Sequence, residues 1–220
     1  MSENVVLIHS GGIDSTVLLY QLLKEGHKVT AISFTYGSKH NIQEAIHATS
    51  ICAVADVDRM VIPLDFMPAI SQSALMADGG PIPEGHYESP TMIDTIVPFR
   101  NGIMLSIAAG YADNNGMSSV YIGAHGGDHA VYPDCRAEYI HAMDRAVKLG
   151  TSDIVAIKAP FLGMSKADIV KLGDKLEVPF KYTWTCYKGK YVHCGKCGAC
   201  VERREAFQLA GVKDPTVYEA

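Results

Sequence analysis

Val5-Val6-Leu7-Ile8-His9-Ser10-Gly11-Gly12-Ile13-Asp14-Ser15 is the stretch from which the rest of this 220-residue chain is read. Four apolar residues in a row, closed at once by Ser10-Gly11-Gly12, predict a buried strand entering a tight turn. Thr16–Glu25 follows with Val17, Leu18, Leu19, Leu22 and Leu23 on a broad apolar helical face, and Gly26 supplies the stop. Two adjacent glycines let the backbone bring its N–H groups against an anion, and the helix behind them adds free N–H groups and its dipole. Ser10, Ser15 and Thr16 add hydroxyls. The arrangement predicts a polyphosphate site made of Ser10, Gly11, Gly12, Asp14, Ser15 and Thr16. Asp14 would repel phosphate directly, so it either holds Mg²⁺ or caps the helix.

Outward from this loop the chain alternates. Val29–Phe34, Met60–Leu64, Val120–Ile122 and Ile154–Ile157 read as strands; Lys39–Ala55, Asn101–Asp113 and Ala137–Leu149 read as helices. Ser165-Lys166-Ala167-Asp168 has the form of a capping box opening a further helix to Leu172. Such alternation implies right-handed βαβ units, hence an α/β fold with a parallel sheet covered by helices on both faces. Residues 66–99 break the rhythm with Gly79-Gly80, Pro81, Pro83, Gly85, Pro90 and Pro98. A loop this long is either a functional lid or a surface excursion.

Composition narrows the class. Apolar residues at 48% and charged residues at 20% exclude a disordered or fibrous chain. The longest stretch free of Asp, Glu, Lys and Arg, Asn114–Gly127, has 14 residues and is polar, so no membrane span is expected. Met1-Ser2-Glu3-Asn4 lacks the basic start of a signal peptide, and a cytoplasmic protein is expected. The net charge of −5 argues against bulk nucleic-acid binding. It is uneven: residues 1–157 carry −9 and residues 158–220 carry +4.

The basic segment holds Cys186, Cys194, Cys197 and Cys200, spaced C-x7-C-x2-C-x2-C. Two-residue gaps let thiolates converge on one ion, and four of them close a tetrahedral shell with no position left for water. This points to structural Zn²⁺; an iron–sulfur cluster accepts the same ligands. Lys188, Lys190, Lys196, Arg203 and Arg204 suit the net negative charge of a tetrathiolate site. Cys52 lies in a helical pattern and reads as core.

The loop lacks the Lys-Ser/Thr pair of the Walker motif and the three spaced glycines of the dinucleotide fold. Ser10-Gly11-Gly12-Ile13-Asp14-Ser15 resembles the pyrophosphate loop of the ATP pyrophosphatases. That resemblance implies a five-stranded parallel sheet of the adenine nucleotide alpha hydrolase-like, Rossmann-like kind, and cleavage of ATP between its α and β phosphates. Further segments are more specific. They are Tyr36-Gly37-Ser38-Lys39-His40, Val97-Pro98-Phe99-Arg100-Asn101, Gly123-Ala124-His125-Gly126-Gly127-Asp128 and Tyr132-Pro133-Asp134-Cys135-Arg136. Thr183-Trp184-Thr185-Cys186-Tyr187, the cysteine run and Asp214-Pro215-Thr216 complete the set. Taken in order they resemble the QueC family over essentially the whole chain. The expected organisation is an ATP-binding α/β domain over residues 1–160 and, packed on it, a helical segment with the zinc site over 161–220.

The resemblance implies an ATP-dependent carbon–nitrogen ligase of queuosine biosynthesis. It would convert 7-carboxy-7-deazaguanine and ammonia to the 7-cyano base through acyl-adenylate and amide intermediates, as a homodimer without direct contact to nucleic acid. Asp14, Arg100, His125 and Lys166 are the catalytic candidates, and Asn101 joins the loop residues around ATP. Arg100 would clamp phosphate or carboxylate, the alternative being a surface ion pair; for Asn101 the alternative is a cap on its helix. His125 would relay a proton or serve structure, and Lys166 would reach pyrophosphate or belong only to its capping box. Asp128, Asp134 and Arg136 are the substrate-binding candidates, an Asp being suited to accept N–H bonds from the base edge. Family members usually carry Gly where Phe99 stands, Ser where Thr185 stands, and a different run before Tyr132 than His129-Ala130-Val131; a bulky Phe99 would reshape the pocket. Two other functions fit the residues: a tRNA-modifying adenylase such as a thiolase, and a non-catalytic nucleotide- and zinc-binding module.

Overall fold

The first strand, β1 (Asn4–Ile8), lies at the centre of the sheet because both of its faces are apolar. Val5 and Leu7 enter one core cluster and Val6 the other, as strand pleating requires, and all three are fully buried. In the computed structural model, which describes residues 2–127, 131–152 and 155–219, four strands join it. They are β2 (Lys28–Thr35), β3 (Arg59–Pro63), β4 (Ser119–Tyr121) and β5 (Ala156–Lys158). The order is β3-β2-β1-β4-β5 and every pairing is parallel. The chain moves outward from β1 to β3 and then returns to the other side of β1. That reversal opens a crevice at the carboxyl ends of β1 and β4.

Seven helices are described: α1 (Ile13–Lys24), α2 (Asn41–Ala55), α3 (Met67–Ile70), α4 (Arg100–Asn114), α5 (Ala137–Gly150), α6 (Lys166–Lys175) and α7 (Gly198–Ala210). Leu105 and Ala108 of α4 and Ile140 and Val147 of α5 pack in the cluster of Val6. Val17 and Leu18 of α1, Ile169 and Val170 of α6 and Phe207 of α7 pack in the cluster of Val5 and Leu7. The C-terminal segment therefore shares a core with the central strand. None of the described helices is long and apolar enough to cross a membrane.

Most boundaries shift by one to three residues from the sequence expectation, and α2 begins at Asn41 rather than Lys39. The helix α1 starts at Ile13 rather than Thr16, because Gly12 already takes the extended N-cap conformation and Ile13 is buried. The last strand extends to Lys158, and Ile154 lies outside the described residues. The helix α6 continues past Leu172 to Lys175.

Residues 66–99 are tied down in spite of their lack of periodicity. The Lys39 ammonium donates to the carbonyls of Ala74, Met76, Gly79 and Gly80 at 2.7, 2.8, 3.0 and 2.9 Å, and the Lys39 N–H donates to the Leu75 carbonyl at 2.8 Å. One cation thus serves backbone acceptors that neither helix nor sheet would satisfy. Farther along, the Gly85 N–H donates to the Lys196 carbonyl at 2.9 Å, which fastens the segment to the cysteine region.

Candidate active site

The loop His9–Gly12 leaves β1 at the crevice and hands over to α1. Gly11 has φ +81°, a conformation costly for any other residue, and a Cβ there would stand 2.7 Å from the backbone nitrogen of Ala48 in α2. From the other side the Trp184 N–H donates to the Gly11 carbonyl at 2.9 Å. Within the loop the Ser10 N–H reaches Ser15 Oγ at 3.3 Å and the Gly12 N–H reaches Ser10 Oγ at 3.2 Å. Ser10, Gly12, Asp14 and Ser15 line one cleft. Thr16 does not: its hydroxyl donates to the Gly12 carbonyl at 2.6 Å and supports the loop from behind, next to His9. His9 is fully buried, and burial pushes its imidazole down to about 3, so it is neutral. Cys52 is buried beside it, as core.

A charged floor lies beside the loop. Lys166 opens α6, whose capping box is closed by Ser165 and Asp168 alone, leaving the Lys166 side chain to turn into the cleft. Its ammonium lies 2.6 Å from Asp14 Oδ2, 3.5 Å from Glu202 Oε2 and 3.4 Å from His125 Nε2. Burial pushes the Asp14 carboxyl up, but Lys166 and His125 outweigh it and hold the group below the ordinary range. Asp14 makes no cap bond; Gly12 is the N-cap. Its Oδ1 is buried without a hydrogen-bond partner, which suits a bound cation better than a structural role. His125 is fully buried behind Lys166, its Nδ1 accepting from the Gly127 N–H at 3.1 Å.

The opposite wall is aromatic: Phe34, Tyr36, Tyr87, Tyr132, Trp184 and Tyr187. Arg100, at the first turn of α4, forms no ion pair among the described residues. Its Nη1 donates to Tyr36 Oη at 3.1 Å and its guanidinium lies 5.6 Å from that ring's centre. Glu44 of α2 faces the same space, with its carboxyl pushed up to about 7 by burial in spite of the Arg100 charge.

Asn101 is also in the wall, but it binds a neighbouring loop rather than capping its own helix. Its backbone N–H donates to Asp134 Oδ2 at 2.9 Å and its Nδ2 to Cys135 Sγ at 3.2 Å. Asp134 thus caps α4 from a distant turn and does not line the cleft, and Arg136 is exposed at the N-cap of α5. Asp128 lies outside the described residues. Phe99 departs from the expectation attached to it. Its φ is +55°, where glycine is unstrained, but its ring is more than half exposed and stacks edge-on to Tyr139 at 5.8 Å, away from the cleft.

Cys186, Cys194, Cys197 and Cys200 are all buried, and their sulfurs lie within 4.8 Å of one another. A tetrahedral shell with bonds of ~2.3 Å puts sulfurs ~3.8 Å apart, so the four can close on one ion. Backbone N–H groups of Cys194, Lys196 and Cys197 already point at sulfur, at 3.4, 3.4 and 3.3 Å. Hydrogen bonds from the Cys197 and Cys200 thiols hold Cys186 below the ordinary range, and the bond to Cys186 pushes Cys197 up to about 12. A divalent ion is what allows all four to deprotonate together. Thr185 and Tyr187, which flank Cys186, both line the cleft.

Among the nearby cations, Lys188 pairs with Glu84 at 2.5 Å. Arg203 is not the peripheral counter-charge its position suggests. It is fully buried, bonded through Nε to Asp214 Oδ1 at 3.1 Å and through Nη1 to the hydroxyls of Thr183 and Thr185 at 2.8 and 3.1 Å.

Comparison with known proteins assigns this geometry to a family. A family model described as queuosine biosynthesis protein QueC matches residues 4–211. The chain belongs to the QueC family. A 7-cyano-7-deazaguanine synthase of Porphyromonas gingivalis is 48% identical over 217 residues, covering 99% of this chain and 98% of the relative. The protein of that name from Desulfotalea psychrophila is 49% identical over 213 residues, 97% of each chain. Two solved structures share the fold at low identity. NMN synthetase from Francisella tularensis matches at TM-score 0.51 and 17% identity over 96% of this chain and 79% of its own. A 4-thiouridine synthetase–RNA complex with bound ATP matches at 0.54 and 16% over 95% and 50%. Glu44, Glu202 and Tyr87 were not marked by sequence reasoning. Glu44 carried one signal, its place four residues after His40 and four before Ala48 on the buried side of α2.

Proposed function

We propose that this QueC family member is an ATP-dependent ligase that converts 7-carboxy-7-deazaguanine and ammonia to 7-cyano-7-deazaguanine. The observation that carries this is the single cleft in which a phosphate loop with an acidic and basic floor faces an aromatic wall holding Arg100 and Glu44. A carboxylate is a poor acyl donor because its oxygen leaves badly; joining that oxygen to AMP corrects this. A carboxylate oxygen attacks the α-phosphorus and the bond to the β-phosphate breaks, releasing pyrophosphate. Ammonia adds to the acyl carbon, AMP leaves, a proton is lost, and an amide remains. A second ATP adenylates the amide oxygen, and loss of AMP and protons gives the nitrile.

In this assignment the N–H groups and hydroxyls of Ser10, Gly12 and Ser15 hold the phosphates, Gly11 and Thr16 shape the loop, and Lys166 offsets charge on the leaving pyrophosphate. Asp14, through its orphan Oδ1, would hold Mg²⁺, which supplies charge neutralisation on ATP. Arg100 suits a carboxylate or phosphate oxygen because of its planar fork. Glu44, rather than Asp134, is placed to accept N–H bonds from the base edge among the described residues. Asn101 and Asp134 orient the start of α4, and Arg136 is left without a part in the cleft. The four cysteines would hold structural Zn²⁺. Substrates are small molecules, in line with the net charge of −5, and we place the enzyme in the cytoplasm as a homodimer.

Incubation with 7-carboxy-7-deazaguanine, ammonium and MgATP should yield the nitrile, AMP and pyrophosphate by mass spectrometry. ADP as the nucleotide product overturns the assignment. Metal analysis with a sulfide assay should give one zinc per chain, and iron with labile sulfide would replace it.

A further inference from the structure

Four consecutive charges on α7 go separate ways, Glu205 lying 3.4 Å from His86 Nε2. Arg203 is taken up by Asp214, Arg204 lies 5.4 Å from the ring centre of Tyr218, and Glu202 alone turns into the cleft, toward the ammonium of Lys166. That ammonium now sits 2.6 Å from Asp14 and 3.5 Å from Glu202, closer to the residue that must also serve a cation. A divalent ion on the Asp14 carboxylate and an ammonium on the same group would repel each other strongly in a partly buried site. We propose that Glu202 is a positioning residue that receives Lys166 when a divalent cation and nucleotide phosphates engage Asp14, keeping the ammonium within the cleft.

The geometry supports such a transfer. Glu202 needs no new contact, only a shortening of one already near pairing distance. Its amino-side anchor is the cysteine cluster: Cys197 is the N-cap of α7 and Cys200 lies in its first turn, so the four-sulfur site fixes where Glu202 stands. Both acids and the ammonium are mostly shielded, with side-chain exposures of 14, 21 and 15% for Lys166, Asp14 and Glu202. The cysteine segment would in this way contribute a side chain to nucleotide binding as well as a wall to the cleft.

This rests on the nucleotide site proposed above, and the test separates the two. Binding of labelled ATP is measured by equilibrium dialysis over a Mg²⁺ titration, without the carboxylate substrate, for the wild-type chain, Glu202→Gln, Lys166→Met and the double variant. In Glu202→Gln, Lys166 stays on Asp14 and competes with Mg²⁺, so half-saturating Mg²⁺ should rise at least fivefold. Glu202→Asp, which keeps the charge, should recover most of that loss. In the Lys166→Met background the Gln substitution should change half-saturation less than twofold, with bound zinc per chain unchanged throughout. An equal shift in both backgrounds would mean that Glu202 acts on the cation directly, and no shift in the single variant would mean that it does not act at all; either overturns the proposal. Loss of zinc in Glu202→Gln would assign the residue to the fold of the cysteine segment and also overturn it. Failure of the wild-type chain to bind ATP with Mg²⁺ would instead refute the ligase assignment.

Discussion

Arg203→Met should destabilise the protein and loosen the phosphate loop in one step. The guanidinium has no exposed surface and links Asp214, Thr183, Thr185 and the Phe180 carbonyl, the last from Nη2 at 3.2 Å. Methionine fills much of the volume but leaves the Asp214 carboxylate, 14% exposed, without its cation. Breaking one side of a buried pair costs about 3–5 kcal/mol. With a urea slope of about 2–3 kcal/mol/M for a chain of this size, the unfolding midpoint should fall by roughly 1–2.5 M. The effect should reach ATP, because Thr183 and Thr185 flank Trp184, whose N–H holds the Gly11 carbonyl. KM for ATP should therefore rise severalfold at temperatures where the variant is folded. Urea denaturation of Arg203→Met, Asp214→Leu and the double variant checks the origin. The double variant should cost less than the two singles together by about 1–3 kcal/mol, since no charge is then left buried alone. A single-variant cost under about 1 kcal/mol, or strict additivity, would refute the reasoning.

Gly11→Ala should cost roughly 2–4 kcal/mol, from positive φ and overlap with the α2 backbone, and weaken ATP binding measured by calorimetry. Phe99→Gly removes a strained φ and should hold or raise the melting temperature by a few degrees with kcat unaltered, because the ring lies outside the cleft. Chelation of the cysteine-bound metal should expose four thiols to a thiol reagent. It should also shift the fluorescence of Trp184, the single tryptophan, whose indole N–H donates to the Cys186 carbonyl at 2.8 Å. His9 and His40 are pushed by burial to about 3 and about 4, so the stability they contribute is complete above about 6.5 and is lost as pH falls toward those values. Glu44, pushed up to about 7, runs the other way, its contribution being complete below about 4.5 and lost as pH rises through 7. Glu44→Gln should accordingly steepen the fall in melting temperature between pH 7 and pH 5, and an unchanged slope would discount the burial of that carboxyl.

Local chemistry was legible in the one-dimensional pattern. The run Val5–Ile8 with its glycines specified a central strand, a phosphate loop and the helix behind it, because conformational freedom and free N–H groups are properties of adjacent residues. The spacing of Cys194, Cys197 and Cys200 specified a metal site for the same reason, since three thiols within seven residues are held close together by the chain itself. The strand and helix alternation specified the parallel sheet. What the pattern could not contain is which distant groups meet. Lys166 comes to Asp14 across 152 positions, Asp134 comes to the start of α4 across 33, and Lys39 gathers the carbonyls of a segment about 35 to 41 positions away. Arg203 looked like a surface counter-charge and is core; Phe99 looked like part of the pocket and faces away; Glu202 carried no mark of the cleft it enters, and Glu44 only its spacing along α2. Charge, hydrogen bonding and burial act through space, and a side chain's partners are settled only once the sheet has brought its loops together.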